Sequence, residues 1–106
     1  AWVIRNRAIK GGWWGDTPAH VCLCRHQFSC WNKLDPNRQA LADLSLAHPG
    51  YRKALRIVGE AMDAPGGDDP THGATHYHRI DVAPPWAGGK TPCMRLGRHV
   101  FFNNIE

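Results

Sequence analysis

The stretch YRKALRIVGEAM, residues 51–62, gives the clearest structural signal in the chain. Its apolar residues recur three or four positions apart, the spacing that gathers side chains on one face of an α-helix. The members of that face are Tyr51, Ala54, Leu55, Val58, Ala61 and Met62. The turn-forming sequence Gly66-Gly67-Asp68-Asp69-Pro70 follows, so we predict an amphipathic helix that ends in a loop.

Two shorter helices are predicted before this one. Residues 1–9 have the apolar spacing of a helical face, and Gly11-Gly12 predicts the end of that helix. Because the apolar pattern is already under way at the first residue, we expect this N-terminal helix to be incomplete. A second helix is predicted to start at Asp35-Pro36, an N-cap followed by proline at the first helical position, and to stop at His48-Pro49-Gly50.

The remainder is predicted as loop and strand. Residues 13–25 contain turn signals and no periodicity, which predicts a loop. Residues 75–82 show enough of the two-residue alternation of a β-strand to predict a short strand. Residues 98–102 predict a closing strand, which is a candidate hairpin partner for the strand at 75–82. The fold class predicted from these elements is α+β, mainly helical with a small β-hairpin.

Composition and charge set broad limits. A chain of 106 residues, 42% hydrophobic and 21% charged, is typical of a single globular domain. The net charge of +4 favours an anionic partner, such as nucleic acid, acidic lipid or the bacterial cell wall. The basic residues are scattered rather than arranged as a stripe, which disfavours nucleic acid. No apolar run reaches the length of a membrane span, and no signal peptide is recognisable.

No acidic residue is a convincing general acid. Glu60 lies nine residues after Tyr51, which at about 100° per residue places it half a turn from the apolar face and in solvent. Asp35 is explained as a helix cap, and Asp68 and Asp69 belong to a turn. Solvent-exposed carboxyl groups have nothing to raise their pKa toward that of a proton donor.

Metal binding and cysteine chemistry are also disfavoured. His76 and His78 could share one strand face, but Cys22 and Cys24 lack the spacing of a zinc knuckle and no second paired motif exists. We therefore predict no metal and no cofactor. A Cys30 nucleophile would need a histidine beside it, so a buried thiol is the simpler interpretation. The pairing of the four cysteines is left open.

Two runs are rich in both aromatic and polar side chains: residues 27–32, QFSCWN, and residues 74–78, ATHYH. This composition is typical of a groove that stacks against sugar rings and hydrogen-bonds their hydroxyls. The same aromatics could instead form core with polar caps around it. The residues alone leave both interpretations open.

These runs are parts of a larger resemblance. The sequence resembles the SleB-like cell wall hydrolases, the family of spore cortex-lytic enzymes and of phage-tail and gene-transfer-agent peptidoglycan hydrolases. The matching segments, in family order, are AWVIRNR at 1–7, QFSCW at 27–31, the helix around 52–61, PTHGATHYH at 70–78, PWA at 85–87 and LGRHVFF at 96–102.

The resemblance implies a lysozyme-like domain that cuts the peptidoglycan glycan strand, as a muramidase or a lytic transglycosylase. It implies no cofactor, peptidoglycan and phage-like particle proteins as partners, and location at the cell wall, in the periplasm or on a virion-like particle. The residues that it assigns to substrate binding are Gln27, Ser29, Trp31, His76 and Tyr77.

The resemblance assigns no catalytic residue within residues 1–106. The family's catalytic Glu precedes the Asn-Arg motif that matches Asn6-Arg7, so this chain is expected to be a single catalytic-domain fragment without its first helical segment. The alternative is a non-catalytic module that binds glycan or serves a structural role in a tail or particle.

Overall fold

A computed structural model of the chain describes residues 1–24, 28 and 33–105. Within these residues four α-helices precede a small antiparallel sheet, which confirms the predicted α+β class. The helices are α1 Trp2–Lys10, α2 Pro18–Leu23, α3 Arg38–Ala42 and α4 Pro49–Asp63. The strands are β1 His76–Arg79, β2 Met94–Leu96 and β3 His99–Phe102. None of the described helices is long and apolar enough to cross a membrane.

Helix α1 ends where the sequence predicts. Gly11 has φ 68° and its N–H donates a 2.8 Å hydrogen bond to the carbonyl of Arg7, a backbone conformation that favours glycine. The apolar residues whose spacing predicted this helix, Ala1, Ile4 and Ala8, are not its buried residues, however. Val3 and Arg7 are buried, whereas Ile4 is only half-buried, because Arg7 finds a buried hydrogen-bond acceptor and aromatic neighbours.

The loop predicted for residues 13–25 is wrong over residues 18–23, which form α2. The hydroxyl of Thr17 accepts a 3.1 Å hydrogen bond from the N–H of His20, and Pro18 occupies the first turn. Thr17-Pro18 is therefore a helix start rather than a turn signal. Val21 is fully buried where α2 packs against α1, so this short helix contributes to the core.

The predicted boundaries of the next two helices are also corrected. Asp35 accepts a 2.8 Å hydrogen bond from the N–H of Asn37, which makes a turn, and α3 begins only at Arg38. His48 starts α4 rather than ending α3, because its ring Nδ1 accepts hydrogen bonds from the N–H groups of Gly50 and Tyr51 at 3.1 and 3.3 Å.

The amphipathic face of α4 is only partly covered. Ala61 is 4% exposed, but Leu55 and Val58 are 44% and 42% exposed. Helix α1 contacts the C-terminal half of α4, because Arg5 of α1 donates hydrogen bonds to the carbonyls of Ala61 and Ala64.

The sheet has the order β1-β3-β2, with antiparallel pairing throughout. His76 pairs with Phe102 and Tyr77 with Phe101, so the predicted closing strand does pair with β1. The two strands do not form the predicted hairpin, because β2 lies between them in the chain and the hairpin is β2–β3. Strand β2 was not predicted, because its three residues are too short to show an alternating pattern. It turns into β3 through Gly97, which has φ 57°.

Candidate functional site

The Asp69 carboxylate fixes the loop that leads into β1. It accepts hydrogen bonds from Asn6 Nδ2 at 2.8 Å, from the Thr71 N–H and hydroxyl at 2.7 and 2.6 Å, and from the Gly73 N–H at 2.8 Å. The Asn6 amide also donates to the carbonyl of Ala74 at 2.9 Å. This loop is therefore tied to the middle of α1 by a side chain that the sequence assigned only to a turn.

These hydrogen bonds also set the ionisation of Asp69. Partial burial works to raise the pKa of this carboxyl, but the hydrogen bonds from Thr71, Asn6 and Gly73 outweigh it and hold the pKa below its ordinary value. Asp69 is thus ionised near neutral pH. A carboxylate in this state accepts hydrogen bonds well and is a poor proton donor.

Arg7 joins the N-terminal helix to both aromatic runs. Its Nε donates a 2.6 Å hydrogen bond to the carbonyl of Thr75, immediately before β1. Its guanidinium carbon lies 5.4 Å from the ring centre of Trp14 and 5.7 Å from that of Phe28, within the range of cation–π contacts. The segments that resemble the SleB-like family, although distant in sequence, are therefore neighbours in space.

A cavity of about 440 Å³ opens on the Tyr77 face of the sheet, and we call it the Tyr77 cavity. Ring centres of His99 and Phe101 lie 5.7 and 5.9 Å from that of Tyr77. The cavity is lined by Ala1, Trp2, Val3, Ile4, Phe28, Ile57, Pro70, Thr71, Tyr77, Leu96, His99 and Phe101. Aromatic and aliphatic walls with a few polar groups are typical of small-molecule sites.

The opposite face of the sheet carries a second set of rings. The His76 ring lies 5.7 Å from Trp14 and 5.2 Å from Trp86, centre to centre. Its pKa falls to about 4, because burial disfavours the charged form and the cations of Arg7 and Lys10 repel it. His76 is therefore neutral at physiological pH, and its Nδ1 lies 3.0 Å from the Thr75 hydroxyl.

The five sequence-assigned binding residues are distributed as follows. Gln27, Ser29 and Trp31 lie outside the described residues. Tyr77 lines the Tyr77 cavity, whereas His76 lies on the other face of β1, as the alternation of a strand requires. His76 and Tyr77 therefore belong to opposite surfaces of the sheet.

The sequence interpretation missed His99 and Phe101 as site residues. Both lie on β3, and their alternation in the segment RHVFF places them on one strand face. Only the antiparallel register brings that face beside Tyr77, because Phe101 pairs with Tyr77 and His99 pairs with Arg79.

The acidic residues in the described part of the chain do not line the Tyr77 cavity. Glu60 has a 72% exposed side chain and lies 3.9 Å from Arg56, in agreement with its predicted solvent position. The same described residues contain no cluster of three or more His, Cys, Asp or Glu side chains suited to a metal ion. The Cys93 thiol donates to the carbonyl of Thr71, and burial raises its pKa, so it is poorly suited to act as a thiolate.

Comparison with known proteins assigns the chain to a family. Residues 1–102 match the model of the family described as Cell Wall Hydrolase. Searches of curated proteins and of solved structures found no match. Family membership implies peptidoglycan as the substrate, a hydrolytic activity and a role at the cell wall. The match extends from α1 through β3, and the chain belongs to the SleB-like Cell Wall Hydrolase family.

Proposed function

We propose that this domain cleaves the glycan strand of peptidoglycan, as a muramidase or a lytic transglycosylase, and that residues 1–106 hold the strand in the Tyr77 cavity. The observation that supports the proposal is the composition of that cavity. Trp2, Phe28, Tyr77 and Phe101 contribute aromatic rings, and the segments that contribute them are those shared with the family.

The cavity suits a sugar in size and chemistry. Its volume of about 440 Å³ lies within the range of about 300–1,000 Å³ that is usual for small-molecule sites. Flat aromatic rings pack against the apolar faces of pyranose rings, while polar groups at the edge bond to hydroxyls. Tyr77 and His99 supply such groups here.

The proton donor is proposed to be a Glu that precedes residue 1 of this chain. Glycosidic cleavage needs a protonated carboxyl at the leaving oxygen. Asp69 is half-buried and lies two residues before Thr71, which lines the cavity. Its hydrogen bonds hold Asp69 ionised, so it does not supply this proton. The N-terminal end of α1 lines the cavity through Ala1 and Trp2, so residues placed directly before Ala1 would lie at the rim of the cavity.

A second candidate function is a non-catalytic module that binds glycan within a tail or particle. It is favoured by the lack of a described carboxyl group in the Tyr77 cavity. The upstream gene sequence separates the two candidates. A Glu about 15–25 residues before Arg5, on a helix with a rise of about 1.5 Å per residue, would support the enzyme. A coding sequence without such a Glu would support the binding module.

The corresponding experiment uses purified cell-wall sacculi. The 106-residue chain should bind sacculi without releasing muropeptides, whereas the chain extended by its upstream coding residues should release them. Mass spectrometry of the products distinguishes hydrolysed ends from anhydro ends. Release by the 106-residue chain alone would refute the proposal that the proton donor lies upstream, and failure of both chains to bind would refute the glycan site.

A further inference from the structure

A small cationic cavity lies beyond one end of the Tyr77 cavity. It has a volume of about 130 Å³ and is lined by Arg79, Ile80, Asp81 and Arg98. Arg79 is the cross-strand partner of His99, and Arg98 directly precedes it. Because His99 lines the Tyr77 cavity, the two cavities are adjacent along the sheet.

The backbone holds Arg98 in this position. The N–H of Ile80 donates a 3.0 Å hydrogen bond to the carbonyl of Arg98, which ties the β2–β3 turn to the end of β1. Gly97, with φ 57°, makes the turn that precedes Arg98. The turn therefore presents an exposed guanidinium at a fixed end of the sheet.

The charges of this cavity do not cancel. Arg79 forms a 2.9 Å ion pair with Asp81, and both side chains are more than half exposed. Arg98 forms no ion pair with any other residue that the structure describes. Two guanidinium groups and one carboxylate leave the cavity with an excess positive charge, and a guanidinium can bind a carboxylate through two parallel hydrogen bonds.

We propose that Arg98, with Arg79, binds a carboxylate carried by the muramic acid of the glycan strand while the sugar occupies the Tyr77 cavity. This inference rests on the proposed function and adds to it a determinant of specificity. Every second sugar of peptidoglycan carries a lactyl arm that ends in a carboxylate or in an acidic stem peptide. A strand of N-acetylglucosamine alone carries neither, so the cationic cavity would distinguish peptidoglycan from chitin.

The test measures equilibrium binding of the 106-residue chain to three soluble glycans: peptide-bearing strands, strands freed of peptide by an amidase, and chitin oligosaccharides. Arg98→Gln should weaken binding to at least one muramic-acid strand by about tenfold, the loss expected for one charge-assisted contact, and should leave chitin binding unchanged. A loss confined to peptide-bearing strands identifies the stem carboxylates, and a loss on both strands identifies the lactyl carboxylate. Arg98→Lys, which keeps the charge but loses the paired donors, should give an intermediate affinity.

Arg95→Gln is the matched control, because Arg95 is an exposed arginine on β2 whose pairing with Val100 places it on the opposite face of the sheet. Equal losses for the Arg95 and Arg98 variants, or an Arg98 loss that extends to chitin, would overturn the proposal. An unchanged affinity of Arg98→Gln for both muramic-acid strands would also overturn it. If the unaltered chain bound none of the three glycans, the failure would instead lie with the proposed function.

Discussion

Asn6 of α1 donates a 2.8 Å hydrogen bond to the carboxylate of Asp69, which lies 63 residues further along the chain. The same carboxylate organises the turn through Thr71 and Gly73. This contact sets the position of the loop that precedes β1 and hence the position of Tyr77. The Asn6-Arg7 motif is therefore a structural element that joins the N-terminal helix to the sheet, with Asn6 bonded to the loop and Arg7 to Thr75.

Replacement of Asp69 should lower the stability of the fold. Asp69→Asn keeps the size of the side chain but loses its charge and one acceptor oxygen, so we expect a loss of about 1.5–3 kcal/mol in the free energy of unfolding. Urea denaturation measures this loss. Asp68→Asn is the control, because Asp68 is an exposed acid in the same turn. Similar effects of the two substitutions would contradict the role assigned to Asp69.

Stability should fall as pH drops from about 6.5 toward 4, in part because of His76. The pKa of His76 is lowered to about 4 in the folded state, whereas an unfolded histidine titrates near 6.5. Between these values the unfolded chain binds a proton that the folded chain does not, so protonation favours unfolding. His76→Gln should therefore show a shallower loss of stability over this range in urea denaturation.

The cause of the His76 shift can be tested separately. Lys10→Gln removes one of the cations that repel the imidazolium, so the pKa of His76 should rise. Histidine ring signals in NMR titrations report this change directly. If the pKa of His76 did not change, burial and the charge of Arg7 would be sufficient to explain its lowered value.

Tyr77 should contribute to glycan binding mainly through its ring. Tyr77→Ala removes an aromatic wall of the Tyr77 cavity and should weaken binding of glycan strands by about 1–3 kcal/mol. Tyr77→Phe keeps the ring and its packing against Phe101, so it should lose much less. Calorimetric titration with soluble strands measures both. Equal losses would indicate that the hydroxyl, and not the ring, makes the decisive contact.

Trp31, which lies outside the described residues, is predicted from the sequence alone. If it stacks on sugar, Trp31→Ala should weaken glycan binding by about 1–3 kcal/mol while the chain stays folded. Trp13→Ala is the control, since Trp13 is 67% exposed and is not among the lining residues of the Tyr77 cavity. Loss of the folded state in the Trp31 variant would support the alternative that this ring belongs to the core.

The helices with strong local signals were predictable from sequence. The periodicity of residues 51–62 predicted α4, and Gly11-Gly12 predicted the end of α1, because both depend on interactions within a few residues. Helix α2 was missed because Thr17-Pro18 is compatible with both a turn and a helix start. Burial of Val21 against α1 favours the helix, and that packing is not visible in the local sequence.

Local sequence patterns were enough to predict the helix α4, the alternation of His76, Tyr77 and His78, and the family to which the chain belongs. The packing of the folded chain was needed to show that Tyr77 faces a cavity with His99 and Phe101 while His76 faces Trp14 and Trp86. The two kinds of feature differ in the range of the interactions on which they depend. Periodicity reflects hydrogen bonds between near neighbours, whereas the site depends on the register of β1 against β3 and on contacts such as Asn6–Asp69.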